Sequence, residues 1–193
     1  MLSDMVEIRW HGRGGQGAKT AALLLAESAS AAGKYIQAFP EYGSERMGAP
    51  ILAFTRISES PILVHCHVQN PQTVVVLDPT LLGKVNSTDG VREDGKIIVN
   101  SAETPAEVRR KLNLEGCQVF TVDASQIALE TIKRDIPNTP MMGAVLRVTG
   151  VLHFEFFMTQ METELKKKFA TKPEVIAGNL EAIRRAYQEV KGE

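Results

Sequence analysis

The sequence predicts an α/β fold: a mostly parallel sheet flanked by helices, with an inserted β-hairpin and a helical C-terminal third. Three observations lead to this fold class. A strand pattern, a glycine-rich loop and a helical pattern follow one another near the N-terminus, continuous apolar runs recur in the middle, and helix caps mark the remainder. Because no repeat, low-complexity run or Gly/Ser linker divides the chain, we expect residues 1–193 to form a single domain.

The first third of the chain predicts a helix, residues 18–32, between two strands, residues 5–11 and 35–39. Two further strand patterns follow, separated by a three-residue Ser-Glu-Ser turn. We expect these two patterns, residues 51–57 and residues 61–67, to pair as the inserted hairpin.

The middle of the chain contains three apolar runs. Residues 74–77 form the strongest run because four apolar residues are consecutive there, as in a strand covered on both faces. Residues 97–99 and 119–122 show the same apolar pattern more weakly and also predict buried strands. Asp78 directly follows the first run and is expected to cap a short helical segment that starts at Pro79.

Caps and periodicity predict the later helices. Thr104, a proline and then Glu107 form a capping box, and Thr159 with a glutamate three residues on is expected to form another. Asp123 is expected to cap a helix between them. Residues 141–152 are apolar on nearly all sides and predict a buried helix. The final helix has one apolar stripe, formed by Ile176, Leu180, Ile183, Tyr187 and Val190.

Composition excludes several classes of function. The 22 Lys and Arg residues are balanced by 23 Asp and Glu residues, so no basic field favours nucleic acid. The N-terminus lacks a leader pattern, and no apolar run approaches the roughly 20 residues that span a bilayer. Cys66 and Cys117 lie far apart, and two cysteines cannot hold a cysteine-ligated iron–sulfur cluster. The sequence therefore predicts a cytoplasmic protein without nucleic-acid, membrane or cluster binding.

The glycine-rich loop is the main candidate binding site. It matches G-x-G-x-x-G between a strand and a helix, where glycines let backbone N–H groups approach a phosphate and the helix N-terminus adds partial positive charge. The candidate residues are Gly12, Arg13, Gly14, Gly15, Gln16 and Gly17. The motif predicts phosphate or pyrophosphate binding, and the alternative is a tight turn that needs glycine only for packing.

Two other interpretations of the loop are less favoured by the sequence. A dinucleotide site needs an acidic residue after the second strand, and Glu41 is near that place, although the hairpin interrupts the usual strand order. With Lys19 and Thr20 after its glycines, the loop also nearly matches G-x-x-x-x-G-K-[ST], the phosphate-binding motif of nucleoside triphosphatases. One inserted residue, Ala18, turns those side chains by about 100° and is expected to carry them away from the phosphates.

Two further groups of residues suggest other roles. Tyr42, Glu45 and Arg46 lie in a segment rich in turn formers and charge, which predicts a subunit contact or the lining of a channel, with a solvated loop as the alternative. His65 and His67 alternate along a predicted strand. Because no third ligand is marked nearby, we expect no metal site.

Three segments together resemble a known family. They are the glycine loop, the Glu-Tyr-Gly-Ser-Glu-Arg-Met-Gly-Ala-Pro segment at residues 41–50, and the Asn-Thr-Pro-Met-Met-Gly-Ala segment at residues 138–144. Their order and spacing closely resemble the gamma subunit of pyruvate:ferredoxin oxidoreductases, within the wider 2-oxoacid:ferredoxin oxidoreductases. The resemblance covers most of the chain.

The resemblance implies a subunit of a cytoplasmic complex that converts pyruvate, coenzyme A and oxidised ferredoxin to acetyl-CoA, CO₂ and reduced ferredoxin. Thiamine diphosphate and the iron–sulfur clusters are implied to belong to partner subunits. This subunit is implied to help bind coenzyme A, whose phosphates suit the glycine loop, and to help assemble the thiamine-bearing subunits. No residue is assigned a chemical step.

Three alternatives remain at this stage. The chain could be a stand-alone dinucleotide-binding oxidoreductase, a purely structural assembly subunit, or a gamma subunit for another 2-oxoacid such as 2-ketoisovalerate. Pyruvate is chosen by resemblance alone.

Overall fold

A seven-stranded sheet organises the part of the chain that the computed structural model describes, residues 5–41 and 48–193. Its strands are β1 Val6–Arg13, β2 Tyr35–Glu41, β3 Pro50–Ser58, β4 Thr73–Val76, β5 Lys96–Asn100, β6 Gln118–Val122 and β7 Lys191–Gly192. Their spatial order is β2-β3-β1-β4-β5-β6-β7. Strands β1, β4, β5 and β6 are parallel, whereas β3 runs antiparallel to β1 and β2, and β7 antiparallel to β6. The predicted fold class is confirmed.

Helices cover the sheet on both sides. They are α1 Ala18–Ala31, α2 Pro105–Leu112, α3 Ala124–Ile132, α4 Asn138–Thr149, α5 Phe154–Lys168 and α6 Pro173–Glu189, with a short 3₁₀ helix at Pro79–Leu81. The C-terminal third is helical as predicted, and α4 starts three residues before the apolar run that predicted it.

The two faces of the sheet have separate hydrophobic cores because side chains alternate along each strand. Val75 and Ile98 join the larger core with α1, α4, α5 and α6, whereas Val74 and Val76 join the smaller core beneath α2. All four residues of β4 are buried, which confirms the prediction from the continuous apolar run. The apolar stripe of α6 also packs on the larger core as predicted.

Strand β1 has an apolar face and a polar face. Ile8 and Trp10 are fully buried in the larger core. On the other face, the buried Arg9 donates from Nε to Nε2 of the buried His11 at 3.1 Å and from Nη2 to the carbonyl oxygens of Ser87 and Asp89. Burial and the neighbouring Arg9 charge lower the pKa of His11 to about 3. His11 is therefore neutral at physiological pH and can accept this hydrogen bond.

The predicted pairing of the hairpin is wrong. Residues 61–67 form no strand, and the hairpin consists of β2 and β3. Strand β3 lies between β1 and β2, so both of its edges are already hydrogen-bonded and no edge remains for residues 61–67. This segment instead lies beside β2, where Gln37 donates from Nε2 to the carbonyl oxygen of Val64 at 2.8 Å.

One of the two predicted capping boxes is correct. The Thr104 hydroxyl accepts from the Glu107 N–H at 3.3 Å, and the Glu107 carboxylate accepts from the Thr104 N–H at 2.7 Å. Thr159 is not a cap, because α5 begins five residues earlier and Thr159 lies inside it. Its hydroxyl donates to the carbonyl oxygen of Glu155 at 3.0 Å, the bond of a threonine within a helix.

Within the described part of the chain, no helix combines the length and the apolar character that crossing a bilayer requires.

Candidate functional site

The glycine loop lies at the edge of the sheet where the four parallel strands end. Strand β1 ends at Arg13, and α1 begins at Ala18 with Gly17 as its N-cap. Gly15 has a φ of 98° and Gly17 a φ of 82°, values that L side chains rarely adopt. Two of the motif's glycines are therefore required by the backbone alone.

Gly17 is also required by packing. A Cβ atom there would lie 2.5 Å from Nδ2 of Asn138, the first residue of α4. A Cβ on Gly12 would lie 3.3 Å from that of Ala18, which is a tight contact. The packing interpretation of the motif thus accounts for part of its glycine content whether or not a ligand binds.

Backbone hydrogen bonds hold the loop in place. The Gly14 N–H donates to the carbonyl oxygen of Ala49 at 3.1 Å, and the Gln16 N–H to that of Arg13 at 3.0 Å. No side chain caps the start of α1 within the described residues. As at every helix start, the N–H groups of the first turn lack intrahelical partners, and this end of α1 carries the partial positive charge of the helix dipole.

A pocket of about 290 Å³ opens at this helix start. It is lined by Arg13, Gly15, Gly17, Ala18, Lys19, Thr20 and Ile51. Lys19 and Thr20 border the pocket together with the loop glycines. The expectation that their side chains lie away from the phosphates of a bound nucleotide stays a prediction.

Asp78 connects the loop to the neighbouring strand β4. Its Oδ2 accepts from Arg13 Nε at 3.0 Å and from Gln16 Nε2 at 2.9 Å, and its Oδ1 accepts from the Thr80 N–H at 2.8 Å. The last bond confirms the predicted cap of the 3₁₀ helix. Burial acts to raise the pKa of Asp78, but the hydrogen bonds from Thr80 and Gln16 and the charge of Arg13 outweigh it and lower that pKa.

The guanidinium group of Arg13 bonds to the protein itself. Besides Asp78, it donates from Nη1 to the carbonyl oxygen of Gly48 at 3.0 Å and from Nη2 to the Thr80 hydroxyl at 2.9 Å. Its side chain is 29% exposed. Arg13 therefore shapes the loop, and its charge lies beside the pocket.

Two asparagines at the same edge were missed by sequence reasoning. Asn100, at the end of β5, donates from Nδ2 to the carbonyl oxygen of Leu77 at 2.8 Å and accepts from the Ser125 N–H at 3.1 Å. Asn138 is buried against Gly17. A polar residue that directly follows an apolar strand run is the signal that marks Asn100.

Comparisons with known proteins place this geometry in a family. Residues 7–189 match the family model described as pyruvate ferredoxin/flavodoxin oxidoreductase. The chain belongs to this family. The pyruvate synthase subunit PorC of Thermotoga maritima is 52% identical over 96% of this chain and 94% of that relative. The crystal structure of pyruvate oxidoreductase subunit PORC from the same organism matches the structure of this chain with a TM-score of 0.85. The match covers 98% of this chain and 99% of the PORC chain.

Other relatives extend the comparison. The common subunit gamma of the pyruvate/ketoisovalerate oxidoreductases of Pyrococcus abyssi is 47% identical over 97% of this chain and 98% of its own. A 2-oxoglutarate:ferredoxin oxidoreductase of Magnetococcus marinus, solved with 2-oxoglutarate, coenzyme A and succinyl-CoA, shares the fold at 20% identity and a TM-score of 0.77. The match covers 96% of this chain and 31% of the Magnetococcus marinus chain. The predicted family is confirmed, with close relatives that are subunits of an oxidoreductase complex.

The remaining predicted site residues have different outcomes. Tyr42, Glu45 and Arg46 lie outside the described residues, and their contact or channel role stays a prediction. Glu41 ends β2, but β3 separates it from the glycine loop on β1, so it does not occupy the ribose-binding place of a dinucleotide site. His67 stacks on Phe54 with ring centroids 5.6 Å apart. Within residues 5–41 and 48–193, no three His, Cys, Asp or Glu side chains are placed to hold a metal.

Proposed function

We propose that this chain acts as the gamma subunit of a pyruvate:ferredoxin oxidoreductase complex, in which its glycine loop contacts a phosphate group of coenzyme A. The complex forms acetyl-CoA and CO₂ from pyruvate and coenzyme A while it reduces ferredoxin. Thiamine diphosphate and the iron–sulfur clusters belong to the partner subunits that this chain helps to assemble.

The two cysteines of this chain are consistent with iron–sulfur clusters that belong to the partner subunits. Cys66 is exposed near Arg56, and Cys117 is buried in the core beneath α2. A cluster needs about four thiolates around one centre. The donor set of this chain does not fit a cluster, and no electron-transfer step is assigned to it.

The observation that carries the coenzyme A contact is the pocket at the start of α1, where no side chain of residues 5–41 and 48–193 forms a cap. Two positive-φ glycines line it, and Lys19 and Thr20 stand at its rim. An anion at this place gains from the helix dipole and from exposed backbone N–H groups. Coenzyme A carries phosphate groups, and the relative from Magnetococcus marinus that shares the fold binds it.

Thr20→Glu tests the contact in the assembled complex. The new carboxylate lies at the pocket rim and repels a phosphate, so we expect the KM for coenzyme A to rise about tenfold, which corresponds to about 1.4 kcal/mol. The helix itself tolerates the change, because an acidic residue in the first turn suits the dipole. Unfolding of the isolated chain by heat should therefore be unaffected.

Ser30→Glu is the matched control. It introduces the same charge at an exposed position of the same helix, ten residues or about 15 Å further along. We expect an unchanged KM for coenzyme A in this variant. If Thr20→Glu and Ser30→Glu have the same KM as the parent complex, the glycine loop does not contact coenzyme A.

A second candidate function is a gamma subunit shared between two 2-oxoacid oxidoreductases. The relative from Pyrococcus abyssi favours it, since that protein is named as a subunit common to pyruvate and ketoisovalerate oxidoreductases. Affinity purification of this chain from its own cells distinguishes the two. Recovery of one set of partner subunits that oxidises pyruvate alone supports the first candidate, and recovery of two sets with both activities supports the second.

A further inference from the structure

Asp78 and Arg13 together join three segments that are remote from one another in sequence. The Asp78 carboxylate binds Arg13 and Gln16 of the glycine loop and the Thr80 N–H of the 3₁₀ helix. Arg13 continues the connection to the carbonyl oxygen of Gly48, just before β3. The loop is thus attached at its second and fifth residues to an acidic side chain that follows β4.

The loop's own hydrogen bonds make this attachment rigid. Oε1 of Gln16 accepts from the Arg13 N–H at 2.8 Å, while its Nε2 donates to Asp78. The side-chain amide of Gln16 is therefore held at both ends, and its orientation is determined by Asp78. Because the Asp78 side chain is only 10% exposed, water competes weakly for these bonds.

The attachment and the cap together require a carboxylate. Oδ2 receives two donors, from Arg13 and Gln16, while Oδ1 receives the Thr80 N–H. An asparagine at this position could satisfy one side only, and with its oxygen towards Arg13 and Gln16 it would keep the attachment and lose the cap. A side chain without either oxygen is needed to release the loop.

We propose that Asp78 is a positioning residue that holds the glycine loop in the conformation in which it contacts its ligand. It touches neither the pocket nor the ligand and acts through Gln16 and Arg13. The role in coenzyme A binding rests on the function proposed above, whereas the ordering of the loop does not.

Asp78→Ala in the assembled complex is the direct test because it removes both carboxylate oxygens, with amide hydrogen exchange of residues 13–17 as the first measurement. We expect exchange in this segment to become at least tenfold faster. In the same variant we expect the KM for coenzyme A to rise at least fivefold while kcat changes less than twofold, because no reacting group is removed.

Asp123→Ala is the matched control. Asp123 also follows a parallel strand and caps the next helix, where its Oδ1 accepts from the Gln126 N–H at 3.0 Å, but its side chain makes no bond to the glycine loop. It reproduces the loss of a capping carboxylate without the loss of the attachment. Exchange in residues 13–17 and the KM should match the parent complex.

Gln16→Glu is a second variant that leaves the cap of the 3₁₀ helix intact. It places a carboxylate where Nε2 now lies 2.9 Å from Asp78, and the repulsion should loosen the same segment. If Asp78→Ala and Gln16→Glu both leave exchange in residues 13–17 unchanged, the positioning role of Asp78 is overturned. Faster exchange with an unchanged KM supports the positioning role and overturns the coenzyme A contact instead.

Discussion

The close approach of α4 and α6 yields a prediction about Gly143. This glycine lies inside α4 directly under the α6 backbone. A Cβ atom there would overlap the carbonyl oxygen of Ile183 and lie 3.0 Å from its carbonyl carbon and 3.1 Å from the Tyr187 nitrogen, all inside ordinary van der Waals separation. Gly143→Ala therefore tests whether this helix pair is as tightly packed as the geometry indicates.

The expected change is the difference between two opposing effects. Replacement of glycine by alanine in a helix interior ordinarily stabilises a protein by about 1 kcal/mol. Overpacking of a core costs about 1–3 kcal/mol, and the upper end applies because the obstructing atoms are backbone that cannot rotate away. We expect Gly143→Ala to lower the free energy of unfolding by about 2 kcal/mol.

Urea denaturation of the full chain measures this change. The midpoint should shift while m, the slope of the unfolding free energy against urea concentration, stays the same. The equivalent fall in Tm is about 4–8 °C for a chain of this size. Ser30→Ala, at an exposed position of α1, is the control that receives a small gain in helix propensity without a new contact. A Gly143→Ala protein as stable as the parent, or more stable, would refute the packing argument.

Two further predictions concern stability. His11 binds a proton below about pH 6.5 when unfolded but only below about pH 3 when folded, so the free energy of unfolding falls by up to about 1.4 kcal/mol per pH unit as the pH decreases through this window. His11→Gln should reduce this acid-side slope in a titration of Tm against pH, and identical slopes would contradict the buried neutral histidine. Thr104→Ala should cost about 1 kcal/mol in the same urea assay because it removes a cap. Thr159→Ala, inside α5, should cost almost nothing, and equal losses in both variants would rule out the distinction between them.

Much of the fold was predictable because its signals are local. The apolar run at β4, the capping box at Thr104 and the caps at Asp78 and Asp123 each depend on residues within a few positions of one another. The glycine loop belongs to the same class, since its positive φ angles are a property of the turn itself. The family resemblance depended on such local segments and their spacing.

The errors arose where residues outside a segment override the pattern within it. Residues 61–67 have a strand pattern, yet β2 and β1 occupy both edges of β3, and no pattern within the segment could reveal that competition. Thr159 with its glutamate satisfies the capping motif, but the residues just before it already form the helix.

The sequence by itself determined most of the helices and strands of this protein, the cysteine content that excludes a cysteine-ligated cluster in this chain, and the loop that marks its candidate site. Only the tertiary structure decided that Arg13 is held by Asp78, 65 positions away, and that Gly17 must accommodate Asn138. The physical reason is the range of the interactions. Caps and turns are closed by neighbouring residues, whereas the carboxyl edge of a parallel sheet brings together chain segments that only the strand order makes adjacent.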